Sequence, residues 1–176
     1  MGRDSEALRD LLRLLAVLAL PIAIWVGARL VLRVQHPFLY VVSESMRPTL
    51  EVGDLIVVEG VGELAIRTGR DGDVIAFYQP GHHGDPDHII IHRAVGRTII
   101  GGVWHFTTKG DNNPFPDPWK VSPEDIVGRY VLRIPYLGYL FILLSPMVRT
   151  SAGGALTACL IIGLIAWTLY DAPRRR

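Results

Sequence analysis

Two charge-free apolar stretches constrain this chain more than any other feature. Residues 14–28, LLAVLALPIAIWVGA, carry no charged side chain, and the stretch reaches residue 32 if Arg29 snorkels toward a lipid surface. Residues 152–170, AGGALTACLIIGLIAWTLY, are equally free of charge. About 20 mainly apolar residues cross the hydrocarbon core of a bilayer, so transmembrane helices are expected at 14–32 and 152–170. A cleaved targeting peptide is the alternative for the first, but the stretch is long and no small-x-small site follows it closely. A buried core helix is the alternative for the second, and Trp167 and Tyr170, residue types of the membrane interface, favour a span. Pro21 is tolerated in such a helix. Arg174, Arg175 and Arg176 follow the second stretch, and Arg3, Arg9 and Arg13 precede the first. The positive-inside rule then puts residues 1–13 and 171–176 in the cytoplasm. The polar segment 34–150 falls outside the cell membrane of a multi-pass protein.

Composition limits what that segment does. Net charge is +1, which gives no electrostatic case for nucleic acid. The only cysteine, Cys159, sits in the second apolar stretch. The middle segment therefore has no disulfide, no thiol nucleophile and no cysteine zinc site, although it should face an oxidising compartment.

The segment reads as strands. LYVVS (39–43), DLIVVEG (54–60), DVIAFY (73–78), HIIIHRAVG (88–96), RTIIGGVWHFTT (97–108) and DIVGRYVLRI (125–134) are rich in Val, Ile and aromatics and are parted by Gly, Pro and Asp. Gly101-Gly102 reads as a two-residue hairpin turn. No 3.6-residue periodicity stands out between 34 and 134. The expected architecture is a mainly β extracytoplasmic domain, a small folded sheet or partial barrel, flanked by two transmembrane helices. Residues 134–147, IPYLGYLFILLSPM, are too short to span and read as a buried or membrane-interfacial segment.

Several polar groups in this segment have the chemistry of a hydrolase. Ser43 and Ser45 follow an apolar strand, His92 lies among IIIHRAV, and Asp111 and Asp117 lie in GDNNPFPDP. A serine becomes a useful nucleophile when a positioned base takes its proton. Histidine suits that task near neutral pH, and a carboxylate behind it fixes its tautomer. The same residues also have ordinary roles: Ser45 starting a turn, His92 bonded to a core carbonyl, Asp111 in an Asx turn, Asp117 as a solvated loop acid. Residue type alone does not decide between these.

Taken in order, SESMRPTLEVGDLIVVE, GDVIAF, IIIHRAVG, TTKGDNNPFPDP and IVGRYVLRIPYLGY resemble the type I signal peptidases, above all their archaeal and endoplasmic-reticulum branch. The resemblance covers residues 41–139. It implies Ser45 as nucleophile, His92 where the bacterial branch has a lysine base, Asp117 as the third triad member, and Asp111 as a second required acid. It implies further that Ser43 and the backbone of Ser45 line the oxyanion hole. The activity implied is serine endopeptidase cleavage of N-terminal signal peptides after small residues, without cofactor or metal. The partners implied are signal-peptide-bearing precursors, membrane lipid and neighbouring secretion machinery. The competing reading is a non-catalytic membrane-anchored β-domain subunit. Glu44 departs from the glycine usual between the two serines. Its side chain must point away from the scissile bond, or the local backbone must differ.

Some choices stay open at this level. In an extended run, Asp111 and Asp117 stand roughly 19 Å apart, so both reach one imidazole only if their loop turns back. Spacing does not say which acid orients His92, while the resemblance favours Asp117. Lys109, one of two lysines, is the alternative base of a Ser–Lys pair. It sits in a polar stretch that does not favour the required loss of its proton. His82, His83, Asp85, Asp87 and His88 have metal-ligand chemistry but no recognised zincin spacing, and read as a flexible solvated loop. Asp54 and Asp73 read as turn residues.

Overall fold

The structure is a computed structural model, and it describes residues 2–149. The described elements are a helix α1 (Gly2–Leu32), strands β1 (Phe38–Tyr40), β2 (Leu55–Glu59), β3 (Val74–Tyr78), β4 (Ile89–Ile100), β5 (Val103–Lys109) and β6 (Ile126–Ile134), and a helix α2 (Gly138–Arg149). The chain divides into two compact units. One contains residues 28–142. The other includes, among the described residues, 2–27 and 143–149.

Within α1, Leu11–Leu32 is long and apolar enough to cross a membrane, and it is the one such helix among the described residues. The helix is unbroken at Pro21. The second span expected at 152–170 lies outside the described residues, as do the tail 171–176 and Cys159. The segment expected at 134–147 becomes α2 over most of its length. Tyr139, Leu140, Phe141, Leu143 and Leu144 of α2 are exposed rather than buried.

The unit 28–142 is built on one six-stranded sheet in the order β1-β2-β6-β3-β4-β5, antiparallel at every step. The strand positions follow the sequence reading closely. There are two departures: HIIIHRAVG and the RTII that follows form one continuous strand, β4, and in LYVVS the strand ends at Tyr40. Beyond it, Val41 exchanges backbone hydrogen bonds with the tight turn at Gly53-Asp54, and the chain then leaves the sheet. At the β4–β5 corner, Gly101 and Gly102 have φ of +60° and +85°, the left-handed backbone that a two-residue hairpin turn requires.

The middle strand explains the core. All five residues of β3 are buried, and successive side chains of a strand point to opposite faces. Val74 and Ala76 pack with Val34, Val41, Met46, Leu50, Ile56 and Val58 on one face. Ile75 and Phe77 pack with Ile66, Ala94, Phe106 and Val121 on the other. Of the two expected forms, sheet or partial barrel, the structure has the sheet, with apolar clusters on both faces. Asp54 and Asp73 do fix turns, as their sequence context suggests. The Asp54 carboxylate accepts the amide of Glu51 and a bond from Arg133, and Asp73 accepts the amide and guanidinium of Arg67.

Candidate active site

Strand alternation on β4 sets up the site. His92 and Arg93 are neighbours, so their side chains leave the sheet on opposite faces. Ala94 pairs with Thr108 across the β4–β5 ladder, which puts Thr108 on the face of His92. Arg93 pairs with Lys109, which puts Lys109 on the other face.

The chain after β5 then folds back. Phe106 and Val121 exchange both backbone hydrogen bonds, at 2.8 and 2.9 Å, and the Asp117 amide donates to the Thr108 carbonyl at 2.8 Å. This return lays Asp117 beside Thr108 and hence beside His92. It also removes the assumption behind the extended spacing of the two acids.

Asp117 Oδ2 lies 2.7 Å from His92 Nδ1. A carboxylate can only accept, so Nδ1 carries the proton and Nε2 of the neutral ring is left with its lone pair. Nε2 lies 3.1 Å from Ser45 Oγ. The same Oδ2 of Asp117 accepts the Thr108 hydroxyl at 2.6 Å. His92 and Asp117 are both nearly buried, with side chains 9% and 7% exposed. The edge of Phe77 packs toward the imidazole, with ring centroids 6.5 Å apart. Ser43 Oγ is 3.1 Å from Ser45 Oγ.

Asp111 is held on the opposite face. Arg93 grips it with two bonds, Nε to Oδ1 at 2.7 Å and an Nη to Oδ2 at 2.6 Å, and the Thr49 hydroxyl donates to Oδ2 as well. Burial alone would raise the Asp111 carboxyl. The bonds from Arg93 and Thr49 outweigh it and hold the carboxyl below the usual carboxylate range. Thr49 belongs to the same turn as Ser45, so Asp111 ties that turn to β4. The neighbouring Asn112 amide donates to the Ser45 carbonyl at 2.8 Å, and the Asn112 side chain donates to the Glu44 carbonyl. Gly110 permits this approach. A Cβ there would stand 2.6 Å from the Ser45 carbonyl oxygen.

The structure therefore separates the two acids that the sequence left undecided: Asp117 lies on the imidazole, and Asp111 lies on Arg93 and Thr49. The Glu44 side chain turns outward to Arg47, which also binds Glu51. Lys109 lines a polar hollow with Arg70, Asp71, Arg93 and Asp111. The nitrogen facing Ser45 Oγ belongs to His92. Sequence reasoning missed Thr108, Arg93, Thr49 and Asn112. The signal for Arg93 was its place directly after His92 in a strand, which sends it to the face His92 does not use.

Beside Ser45 and His92 runs a groove of about 300 Å³, lined by Tyr40, Val41, Val42, Met46, Leu50 and Ile89–His92 among others. Met46 is also a core residue, only 2% exposed, so it serves both as groove floor and as packing. The β4–β5 ladder begins at Arg93. Ile89–His92 are thus paired on the β3 side only, leaving one backbone edge of this segment without a ladder partner among the described residues.

Comparison with known proteins agrees with this picture at the level of family. Residues 11–98 match the family model described as signal peptidase, peptidase S26. A signal peptidase complex catalytic subunit SEC11 from Fusarium vanettenii is 28% identical over 171 residues, covering 92% of this chain and 96% of the relative. The protein of the same name from Verticillium alfalfae is 29% identical over 174 residues, covering 94% of each chain. That from Pyricularia oryzae is 26% identical over 171 residues.

Proposed function

Since the chain belongs to the signal peptidase family, peptidase S26, we propose that it is a membrane-anchored serine endopeptidase that removes N-terminal signal peptides from secretory precursors. The observation that carries the serine mechanism is the continuous hydrogen-bonded series from Ser45 Oγ through His92 to Asp117, with heavy-atom distances of 3.1 and 2.7 Å.

In this mechanism Ser45 Oγ attacks the scissile carbonyl while His92 Nε2 takes its proton. Asp117 stabilises the imidazolium that forms. The Ser45 backbone N–H and the Ser43 hydroxyl donate to the developing oxyanion. His92 then protonates the leaving amine, which departs as the mature protein's N-terminus, and water releases the signal peptide from Ser45 by the reverse proton path. Proton transfer of this kind contributes on the order of 10²–10⁴ in rate, and one oxyanion donor on the order of 10²–10³.

The groove supports the substrate class. An extended peptide would add to the open edge of Ile89–His92, with a side chain directed into a shallow, largely apolar hollow suited to small residues. The anchor supports it too. Ser45 lies thirteen residues beyond Leu32, the end of the apolar helix. At 3.3 Å per residue the nucleophile stays within some 40 Å of the helix end, close to where a lipid-embedded signal peptide emerges. The extracytoplasmic placement of residues 34–150 and the second span at 152–170 belong to this reading.

The test is cleavage of a secretory precursor by the full chain in lipid vesicles, with products read by mass spectrometry. Wild type should yield one cut after a small residue. Ser45→Ala should leave the precursor intact. Normal cleavage by Ser45→Ala would eliminate the serine mechanism.

A further inference from the structure

The loop joining β3 to β4, read from the sequence as solvated, is a run of backbone turns. The amides of His82, Asp85 and His88 donate in turn to the carbonyls of Gln79, His82 and Asp85, at 2.9, 3.1 and 3.1 Å. These successive turns bring residues 82, 85 and 88 to one edge. Gly81 and Gly84, with φ of +89° and +81°, curl the run. The His82 and His88 rings consequently meet face to face, with centroids 3.9 Å apart and planes 15° apart.

The loop is fixed at its neck and its side. Gln79 N–H donates to the His88 carbonyl at 2.8 Å. His83 reaches Asp125 at 3.0 Å, with its ring against Tyr78. Asp85 accepts the Asp87 amide through Oδ1 and lies 2.7 Å from His88 Nδ1 through Oδ2. One ligand atom from each of His82, Asp85 and His88 lies within 4.8 Å of the others.

We propose that His82, Asp85 and His88 form a binding site for one divalent transition-metal ion of the zinc class. Metal–ligand bonds to imidazole nitrogen and carboxylate oxygen are about 2.0–2.2 Å, so donors around a tetrahedral ion stand roughly 3.3 Å apart. To reach that spacing the stacked His82 and His88 rings turn so that one nitrogen of each points at the ion, and the Asp85–His88 hydrogen bond gives way to metal bonds. Two imidazoles and one carboxylate suit zinc, cobalt, nickel or copper better than calcium or magnesium. Three protein ligands leave a fourth position for water. The site is separate from Ser45, His92 and Asp117 and does not depend on the proposed mechanism. Its position gives it a mechanical role, because His88 leads directly into Ile89–Ile91, which wall the groove. An ion closing the loop holds that wall at its open end.

The experiment uses the full chain without an affinity tag, in detergent, stripped with chelator and desalted. Zinc is titrated by calorimetry, and cobalt by its visible absorption. The expected result is one ion per chain with micromolar affinity and a zinc-dependent rise in Tm. His82→Ala, Asp85→Asn and His88→Ala should each weaken binding about tenfold or more, while His105→Ala, on β5, should bind as wild type. Absence of saturable binding, or wild-type affinity in any one of the three loop variants, overturns the assignment.

Discussion

Replacing Asp117 by Asn isolates the charge behind the imidazole, and the structure says how. Oδ2 of Asp117 accepts from two donors, His92 Nδ1 at 2.7 Å and the Thr108 hydroxyl at 2.6 Å. With its amide oxygen at that place, an asparagine keeps both hydrogen bonds and the imidazole tautomer intact. What is lost is the negative charge opposite the imidazolium formed in the transition state. For unit charges about 4 Å apart, an effective dielectric of about 20 gives about 4 kcal/mol. The near-complete burial of both side chains argues against heavier screening. At about 1.4 kcal/mol per tenfold, kcat should fall roughly 10³-fold. KM should change little, because the imidazolium exists only beyond the ground state. The assay is steady-state cleavage of a synthetic precursor peptide by the detergent-solubilised chain, with Tm measured alongside. A loss below fivefold in a folded variant, or a rise in KM at constant kcat, would refute the reasoning.

Three further outcomes follow from the same geometry. Thr108→Val removes the second donor to Asp117 at a site with no exposure; kcat should drop about tenfold, and Thr108→Ser should restore it. Gly110→Ala forces a Cβ to 2.6 Å from the Ser45 carbonyl, so kcat should fall by on the order of 10² through displacement of the nucleophile turn, with a smaller loss of stability, about 1–3 kcal/mol. Asp111→Asn leaves Arg93 without its charged partner and should cost about 2–3 kcal/mol of stability near neutral pH. Because the folded Asp111 carboxyl is held below its ordinary value, its contribution is present above about pH 4 and is lost as pH falls through the folded value. Denaturation curves of wild type and Asp111→Asn should therefore converge in acid.

Strand positions were legible because β3 and its neighbours are apolar runs broken by Gly, Pro and Asp. Ser45 and His92 were legible through the resemblance of their short boxes to the signal peptidases, where residue type alone leaves them undecided. The division of labour between the acids was not. It depends on the Phe106–Val121 pairing that folds the 110–120 loop back, and on the alternation that sends His92 and Arg93 to opposite faces. Thr108 was hidden for the same reason, since its part comes from standing opposite Ala94 in the ladder. The 79–88 stretch reads correctly as a solvated loop, but its three successive backbone turns, which bring His82, Asp85 and His88 together, are not revealed by composition.

The most direct measurement sets His92 against Lys109 as the base. Precursor cleavage is followed over pH for the lipid-reconstituted chain as wild type, His92→Ala and Lys109→Ala, each checked for folding. The account predicts that His92→Ala is inactive and that Lys109→Ala retains activity within a few fold with an unshifted pH profile. Cleavage by His92→Ala together with an inactive, folded Lys109→Ala would contradict it.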